Sequence, residues 1–575
     1  MLKLFKYLRP YALSIAVTLA LVFANSIAEL SLPKMMSRIV DEGVATGNVA
    51  LIWSIGGRML LIALAGVAAS VTAGLLAARS SMGFGRDLRA KVFSRVSSFS
   101  LRELDTFGAA SLITRTTNDI TQIQQLVFMM QRMMAAAPMM AIGGIAMALS
   151  TEPKLSWILL VVIPVMALAI VLLALKGIPL FKAIQTKIDA LNRVMRESLS
   201  GIRVVRAFDR VDHEKRRFDG VNADLTATTL EVNKLMAFLF PFVMLMMNVT
   251  TVMIVWFGGL GVGSGDIRIG SLMAFIQYAM QIMFSVIMVS VIFIMVPRAS
   301  ASATRINEVL DVSPEIVDPA SPRRPASAKG EIEFRNVAFG YGGSSEPALK
   351  DLSFVARPGT TTAIIGGTGS GKSTVINLIE RFYDVDSGAV LLDGVDVREM
   401  AQDDLRASLG LATQRPVLFS GTIADNLRFG GADASEEALA KAAEVAQASS
   451  FIAEKEGGMG APISQGGVNV SGGQKQRLAI ARALAKRPRV YLFDDSFSAL
   501  DFKTDAKLRS ALRKETSDAT VIIVAQRVGT IRDADQIIVL DEGSMVGRGT
   551  HRELMRSCDV YREIVASQLS AEEAV

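Results

Sequence analysis

The stretch Gly366–Ser373 reads GGTGSGKS and matches the pattern G-x-x-x-x-G-K-[ST]. It follows an apolar segment, TTAIIG, and precedes the helical pattern TVINLIERF. In this strand–loop–helix setting the glycines let backbone N–H groups close around phosphate oxygens, Lys372 supplies a positive charge, and Ser373 supplies a hydroxyl ligand for Mg²⁺. The pattern therefore predicts a nucleoside triphosphate site formed by Gly366, Gly367, Thr368, Gly369, Ser370, Gly371, Lys372, Ser373 and Thr374.

A carboxylate that could share the metal ion lies downstream. Val490–Asp494 reads VYLFD, an apolar strand that ends in Asp494. Such a residue is the expected second Mg²⁺ ligand of a phosphate loop. Between the two motifs the chain carries VSGGQKQR, which begins at Val470.

These motifs together resemble those of an ATP-binding cassette (ABC) exporter half-transporter, and the resemblance covers nearly the whole chain. It implies that Tyr341 stacks on adenine and that Gln414 contacts Mg²⁺ and senses the membrane domain. It also implies that Ser498–Asp501 links the two ATP sites of a dimer. The signature residues would complete the ATP site of a partner chain rather than that of their own chain: Ser471, Gly472, Gly473 and Gln474.

Three positions depart from the family pattern. Asp495 stands where the family has the Glu that polarises the attacking water, Gln526 replaces the switch His, and Gln465 replaces an acidic residue before the signature. Asp is one methylene shorter than Glu, and a misplacement of about 1 Å can cost on the order of 10²-fold in rate. Gln can hydrogen-bond to a phosphate but carries no charge.

We therefore expect the chain's own site, with Lys372, Asp495 and Gln526 as its catalytic candidates, to bind ATP and hydrolyse it poorly. An intact signature beside a weak hydrolytic centre favours a heterodimer of multidrug-exporter type, in which a different partner chain carries the Glu and the His. The alternative is a slow homodimer that tolerates these substitutions.

The composition indicates that lipid is the solvent for part of the chain. Of 575 residues, 51% are hydrophobic and 20% charged, and the mean hydropathy is +0.38. The net charge of +6 fits basic loops beside a membrane better than nucleic acid, which we do not expect as a partner. The single cysteine, Cys558, excludes an internal disulfide.

Apolar runs in the first half predict six membrane helices, at roughly 11–33, 51–78, 127–149, 155–177, 236–259 and 271–297. The long connections after the second and fourth spans are rich in Lys and Arg, and the opposite loops are short and poor in them. The positive-inside rule then places both termini and the cassette in the cytoplasm, as expected for a multi-pass bacterial cell-membrane protein (inner or plasma membrane). Met1–Arg9 predicts an amphipathic helix on the membrane surface.

If helices two to five continue past the bilayer, they form stalks whose tips lie near Asp105–Ser111 and Arg210–Lys215. These tips resemble the coupling helices that press on the cassettes. After Arg298 a Pro/Ala/Ser-rich stretch precedes alternating short strands and helices.

The predicted fold is a membrane all-α domain of six spanning helices (type I ABC exporter fold) joined to an α/β P-loop nucleotide-binding domain. We place the transmembrane domain at 1–310, a linker at 311–330 and the ATP-binding cassette at 331–575.

The expected function is ATP-driven export of a hydrophobic or amphipathic compound across the bilayer, by one half of a dimer. Methionine clusters in the third, fifth and sixth spans suit a surface that accepts many apolar shapes, although ordinary packing explains them as well. Glu29 is a functional candidate unless it is solvated near a helix end. An exporter-fold importer of a metal–chelator complex and an ATP-gated regulatory membrane protein are the alternatives. Six spans exclude a soluble ATPase of this class.

Overall fold

The computed structural model describes residues 1–342 and 346–568. The chain packs into two compact units, and each unit combines two separate segments of the sequence. The first unit contains Met1–Ser97 and Ala110–Val312, and the second contains Ser98–Ala109 and Ser313–Val575. The short segment 98–109 therefore packs with the second half of the chain.

The first unit is helical. Its α-helices, together with α3 of the second unit, are α1 Ala12–Arg38, α2 Val49–Ser97, α3 Leu101–Phe107, α4 Ala109–Thr114, α5 Ile120–Met129, α6 Ala135–Thr151, α7 Ser156–Ser200, α8 Ile202–Ala207, α9 Val211–Gly263 and α10 Ile269–Asp311. Short 3₁₀ helices occupy Leu2–Tyr11 and Pro153–Leu155, and π-helical turns occupy Ile39–Val44, Arg115–Asp119 and Met130–Met134.

Six continuous helical segments of the described residues are long and apolar enough to cross a membrane: Lys3–Val44, Val49–Ser97, Ala109–Thr151, Pro153–Ser200, Val211–Gly263 and Ile269–Val289. Their number agrees with the prediction. The helices extend well beyond the predicted spans. With 49 residues, α2 is roughly 74 Å long, more than twice the thickness of a hydrocarbon core.

The two tips of these long helices differ from the prediction in detail. The first tip is α3, Leu101–Phe107, which overlaps the predicted segment. The second is α8, Ile202–Ala207, and precedes the predicted Arg210–Lys215 because Gly201 ends α7 and Asp209 turns the chain at a φ of 51°. The N-terminal helix is amphipathic as expected, with Leu4 buried and Lys3 exposed, but it is 3₁₀ rather than α.

Two groups of helices form within the first unit. One is the long pair α7 and α9; the other comprises α1, α2, α5, α6 and α10. A core at one end contains the fully buried rings of Phe275 and Tyr278. The Tyr278 hydroxyl donates to the Leu30 carbonyl at 2.9 Å and ties α10 to α1.

The second unit is α/β. Its strands are β1 Ile332–Phe339, β2 Leu349–Ala356, β3 Thr361–Gly366, β4 Ser387–Leu392, β5 Val395–Asp396, β6 Leu409–Ala412, β7 Gly421–Thr422, β8 Pro462–Ile463, β9 Val490–Asp494, β10 Thr520–Val524, β11 Gln536–Asp541 and β12 Ser544–Gly549. Its remaining helices are α11 Lys372–Ile379, α12 Gln402–Ala407, α13 Ile423–Arg428, α14 Glu436–Val445, α15 Ser449–Ala453, α16 Gly472–Ala485, α17 Phe502–Glu515, α18 Val528–Ile531, α19 His551–Ser557 and α20 Asp559–Ala566.

The larger sheet has the strand order β12-β11-β3-β10-β9-β6, and β11, β3, β10, β9 and β6 run parallel. β10 is buried at every position, as expected for a strand covered on both faces. A smaller antiparallel sheet has the order β2-β1-β4-β5.

The stretch between α10 and β1 has no regular structure, yet it is fixed to the second unit. The buried Arg381 donates to the Val317 carbonyl at 3.3 Å, and Asp318 accepts from the Gln402 backbone at 3.1 Å. Arg324 forms two hydrogen bonds with Asp404 at 2.8 and 3.0 Å. Much of the predicted linker is therefore docked along α12.

Helix α3 is held by contacts inside the second unit. Arg102 pairs with Glu315 at 2.8 Å, and the Glu103 carboxylate accepts from the Glu315 backbone at 3.1 Å. The Tyr383 hydroxyl donates to Asp105 at 3.3 Å, and burial together with this carboxylate raises the pKa of Tyr383 to about 12. Three side chains of one short helix are thus engaged.

Candidate nucleotide site

The predicted site residues meet at the carboxyl edge of the larger sheet. Gly366 ends β3 and Asp494 ends β9, while Gln526 and Gln414 each lie two residues beyond the ends of β10 and β6. These four strands are neighbours in the order β3-β10-β9-β6. The crevice at the carboxyl ends of parallel strands is where open α/β sheets bind ligands.

The loop after β3 can be built only with glycine at two of its positions. A Cβ on Gly366 would lie 2.1 Å from the Leu540 carbonyl oxygen. Gly371 has a φ of +92°, and a Cβ there would lie 2.5 Å from the Ala348 carbonyl oxygen. The N-terminus of α11 opens directly into this loop, so its free N–H groups and helix dipole favour an anion.

Lys372 is only 8% exposed, although it is a cation. Its Nζ donates to the carbonyls of Gly366 and Gly367 at 3.0 and 2.6 Å and lies 3.5 Å from the Ser370 hydroxyl. Burial lowers the pKa of Lys372, and the nearby Asp495 and Asp494 oppose that shift. Since its close partners are neutral oxygens, a polyphosphate would supply the missing countercharge, and the loop fits such a group.

Ser373 and Asp494 offer the oxygen ligands that Mg²⁺ prefers. The Ser373 hydroxyl donates to Asp494 Oδ1 at 3.0 Å. Burial raises the pKa of Asp494, and the neighbouring Asp495 adds to that shift, against the opposing effects of Ser373 and Lys372. A divalent cation would relieve this crowding of negative charge. The third predicted ligand, Gln414, instead donates its side-chain amide to Asp495 at 3.2 Å.

Asp495 is held firmly at the end of β9. Its φ of 44° lies in the left-handed region, its N–H donates to the Val524 carbonyl at 2.8 Å, and its own carbonyl accepts from the Ser498 hydroxyl at 2.9 Å. The residue is 7% exposed. The backbone therefore has little freedom to bring the short carboxylate forward.

Gln526 lies on the exposed segment that follows β10. The side-chain amide of Gln568, just after α20, donates to the Gln526 carbonyl at 2.8 Å. Gln568 also accepts from the Val528 N–H at 2.9 Å. Sequence reasoning missed Gln568, because a lone glutamine after a C-terminal helix carries no motif.

Tyr341 lies beside the start of α11. Its hydroxyl is 3.2 Å from Thr374 Oγ1 and accepts from Asn377 at 3.3 Å. Its ring packs edge-on against those of Phe339 and Tyr383, at centroid distances of 4.9 and 5.2 Å. The structure thus brings Tyr341 and Thr374 together, with 37% of Tyr341 exposed.

The signature residues form a local structure of their own. Ser471 caps α16: its hydroxyl accepts from the Gln474 N–H at 3.3 Å, and Gln474 Oε1 accepts from the Ser471 N–H at 3.0 Å. The close approach of Gly473 to the Ala499 carbonyl joins this helix start to the Ser498–Asp501 loop. Within residues 1–342 and 346–568, no hydrogen bond links Ser471 or Gln474 to Gly366–Ser373. Gln465, exposed, begins a 3₁₀ turn just before.

Glu29, a candidate residue of the membrane half, lies beside two polar side chains. Asn25 donates to Glu29 at 2.9 Å, and the Gln281 amide reaches the Glu29 carbonyl at 3.5 Å. The methionines of these clusters differ in burial: Met283 is buried in the core, whereas Met244 is 58% exposed. The clusters therefore have no single role in packing.

Comparison with known proteins gives this arrangement a family. Residues 15–286 match the model described as the ABC transporter transmembrane region, and residues 349–498 match that described as ABC transporter. An uncharacterized ABC transporter ATP-binding protein of Mycobacterium tuberculosis is 45% identical, over 98% of this chain and 97% of its own length. The chain belongs to the ABC transporter family.

Two further likenesses refine this assignment. A Mycobacterium bovis protein named fatty acid ABC transporter ATP-binding/permease protein is 34% identical, over 83% of this chain and 75% of its own length. The solved structure of a bacterial Atm1-family ABC exporter with ATP bound has a TM-score of 0.78 and 25% identity, covering 98% of this chain and 99% of that one. The chain is thus an ABC exporter half-transporter with the Atm1-family exporter fold, a multi-pass membrane protein whose transport is of the exporter type and driven by ATP.

Proposed function

We propose that this ABC transporter chain is one half of a heterodimeric exporter of hydrophobic or amphipathic compounds. It binds ATP at its own site and hydrolyses it slowly there. Its signature motif forms part of the hydrolytic site of its partner. The observation that carries the proposal is the position of Asp495. Its short carboxylate is fixed by backbone bonds on both sides and engaged by Gln414 at 3.2 Å, in an otherwise complete site.

The residues divide into binding and positioning roles. Lys372 and the N–H groups of Gly366–Ser373 would hold the phosphates, and Tyr341 would face the adenine. Ser373 and Asp494 would hold Mg²⁺, with Gln414 joining them when it leaves Asp495. ATP supplies the phosphoanhydride whose cleavage drives transport. Asp495 would accept a proton from water less directly than Glu, and Gln526 would offer a neutral hydrogen bond in place of an imidazolium.

The contacts of the signature residues favour a role in the ATP site of another chain. Ser471 and Gln474 satisfy each other at the start of α16 and have no hydrogen bond to the phosphate loop of the described chain. A half-transporter with both motifs intact and separate suits a dimer in which each loop meets the other chain's signature. The tips α3 and α8 then act as coupling helices on the cytoplasmic side, where both termini lie.

Export of an apolar cargo is supported by the comparisons as well as by the membrane half. The exporter of known structure covers nearly all of the chain, and one relative is named for fatty acids. The long apolar helices support a location in the bilayer of the cell membrane. The solved exporter favours export over uptake of a metal–chelator complex, and over gating by ATP.

The test is steady-state ATP hydrolysis by the complex that is purified from the native host through a tag on this chain. Asp495→Ala should change turnover little, whereas Ser471→Arg should abolish it because the partner's site is spoiled. Ser435→Arg is the matched control, since Ser435 caps α14 as Ser471 caps α16. The chain purified alone should hydrolyse ATP slowly.

Loss of turnover in Asp495→Ala would refute the heterodimer, and so would an exporter-like rate for the chain alone. In the slow homodimer every site contains Asp495, so the loss of turnover in Asp495→Ala would then follow. Sustained hydrolysis without accumulation of any cargo in vesicles would favour an ATP-gated protein instead.

A further inference from the structure

The π-helical turn Met130–Met134 interrupts the third membrane segment, Ala109–Thr151. A π turn adds one residue to a helical turn, and such turns occur frequently at functional sites. This one carries Gln131 and Arg132. The residues that follow the turn are apolar, and those that precede it include Gln122, Gln124 and Gln125. A charged side chain within a membrane segment is a functional candidate by default.

Buried hydrogen bonds fix the turn on its Gln131 side. Gln131 is only 4% exposed. Its Oε1 accepts from the Ser80 hydroxyl of α2 at 2.9 Å, and its Nε2 donates to the Val127 carbonyl at 3.3 Å. The amide is therefore satisfied within the protein, and it holds the turn against α2.

The neighbouring Arg132 is not satisfied in the same way. Its guanidinium lies along the small-residue face of α2, where Nη2 reaches the Ser70 hydroxyl at 3.5 Å and Nη1 lies 3.3 Å from the position of a Cβ on Gly74. In the part of the chain that the structure describes, Arg132 forms no ion pair within 4.0 Å. Five N–H donors thus have one long contact with a neutral oxygen.

The depth of this guanidinium follows from helix length. Arg132 precedes the end of α6 at Thr151 by nineteen residues, and Ser70 follows the start of α2 at Val49 by twenty-one. At 1.5 Å per residue both lie roughly 30 Å from the outer ends of their helices, which is the thickness of a hydrocarbon core. In the proposed orientation, Arg132 lies where the inner-leaflet acyl chains meet the head groups.

The immediate surroundings are apolar and adaptable. Met129, Met130, Met133 and Met134 are the neighbours of Arg132 in the sequence of this turn, and all four are half-buried. Methionine side chains fit irregular apolar shapes. A cation in a turn rich in methionine matches an amphiphile with an anionic head and a hydrocarbon body. Arginine suits such a head because its planar fork binds carboxylate or phosphate oxygens in pairs.

We propose that Arg132, with Ser70 beside it, binds the anionic head group of an amphiphilic substrate whose apolar body lies on the methionines of the same turn. The inference rests on the proposed export function and assigns anionic amphiphiles to its cargo. The head-group chemistry is an anionic oxygen group that can take two hydrogen bonds from one guanidinium, in a carboxylate or a phosphate.

The first experiment measures equilibrium binding to the purified full-length complex in nanodiscs of uncharged or zwitterionic lipid. The probes are three fluorescent amphiphiles with one tail and a carboxylate, a phosphate monoester or a quaternary ammonium head. Arg132→Gln should weaken binding of the two anionic probes by tenfold or more and leave the cationic probe unchanged. Arg132→Lys should retain part of the affinity, because it keeps the charge and loses the fork.

The matched control is Arg58→Gln, which removes an exposed arginine from another membrane segment and should leave all three affinities unchanged. Equal binding of the anionic probes by wild type and Arg132→Gln, or no binding by wild type, overturns the inference. Equal losses for anionic and cationic probes also overturn it, since they indicate a packing role. A loss confined to one anionic probe supports the site and identifies its head group.

ATP-driven movement of the same probes in proteoliposomes separates this inference from the proposed function. We expect Arg132→Gln to raise the KM for the anionic probes. If wild type binds the anionic probes through Arg132 but moves none of the three, export fails as the function while the binding site stands. If wild type moves them and Arg132→Gln moves them equally well, export stands and the site fails.

Discussion

Replacement of Asp495 by Glu should accelerate ATP hydrolysis by the chain purified alone. The extra methylene moves the carboxylate outward by about 1.5 Å, the length of one C–C bond. The backbone cannot supply this movement in the wild type, because its N–H is bound to the Val524 carbonyl at 2.8 Å and its carbonyl to Ser498 at 2.9 Å. The carboxylate also accepts a hydrogen bond from the side-chain amide of Gln414 at 3.2 Å.

The expected gain follows from that displacement. A positioning error of about 1 Å costs on the order of 10²-fold, which corresponds to roughly 2.7 kcal/mol of barrier. Asp495→Glu should therefore raise turnover by about 10²-fold and leave the affinity for ATP unchanged. Addition of Gln526→His should raise turnover further, since it restores a group that can carry positive charge.

The assay is phosphate release at saturating ATP and Mg²⁺, with the chain in nanodiscs. Lys372→Ala combined with Asp495→Glu is the control, and it should return hydrolysis to the background. Glu tolerates the left-handed backbone at this position less well than Asp does, so the melting temperature of each variant must be measured as well. A gain below about threefold in a stable variant that binds ATP normally would refute the claim that carboxylate length limits the rate.

Three further expectations concern single side chains. Lys372→Ala should strongly weaken ATP binding, measured by fluorescent-nucleotide titration, because the phosphates lose their main cation; affinity near that of wild type would contradict its role. Burial raises the pKa of Glu380 from 4.5 to about 7, so its stabilising contribution is complete below pH 4.5 and is lost as pH rises through 7. Glu380→Gln should flatten that slope and raise the melting temperature at pH 8, by an effect on the order of 3 kcal/mol at most; an unchanged pH profile would contradict this. Glu29→Gln should impair transport of cationic dyes with ATP hydrolysis intact, and unchanged dye kinetics would return Glu29 to a structural role.

The parts that could be predicted from the sequence are those whose physics is local. The phosphate loop is a run of eight residues whose glycines are required by the backbone itself, as Gly366 and Gly371 demonstrate. Membrane spans are likewise set by apolar length, so six were predicted and six are present among the described residues. The grouping of Asp494 and Gln526 in one ATP site follows from the family resemblance rather than from periodicity.

The parts that could not be predicted depend on polar contacts between distant segments. The pair Arg102–Glu315 joins residues in different halves of the chain, and neither residue belongs to a pattern. Two contacts within the second half of the chain also carry no sequence pattern: Gln568 with Gln526 of the switch segment, and Arg324 with Asp404 of α12. The π turn at Met130–Met134 was missed for another reason: a single inserted residue leaves the average hydropathy of a span unchanged.

Because α3 packs with the second unit, the ribosome makes one helix of that unit long before the rest. The partners of Arg102 and Asp105 are Glu315 and Tyr383, more than 200 residues later in the chain. At a synthesis rate of about 5–20 residues per second, tens of seconds pass between the synthesis of Leu101–Phe107 and that of the residues it packs against. During that time four further membrane segments must be inserted. A cassette expressed from residue 331 onward would lack this helix and expose Tyr383, so its stability would understate that of the domain in the whole protein.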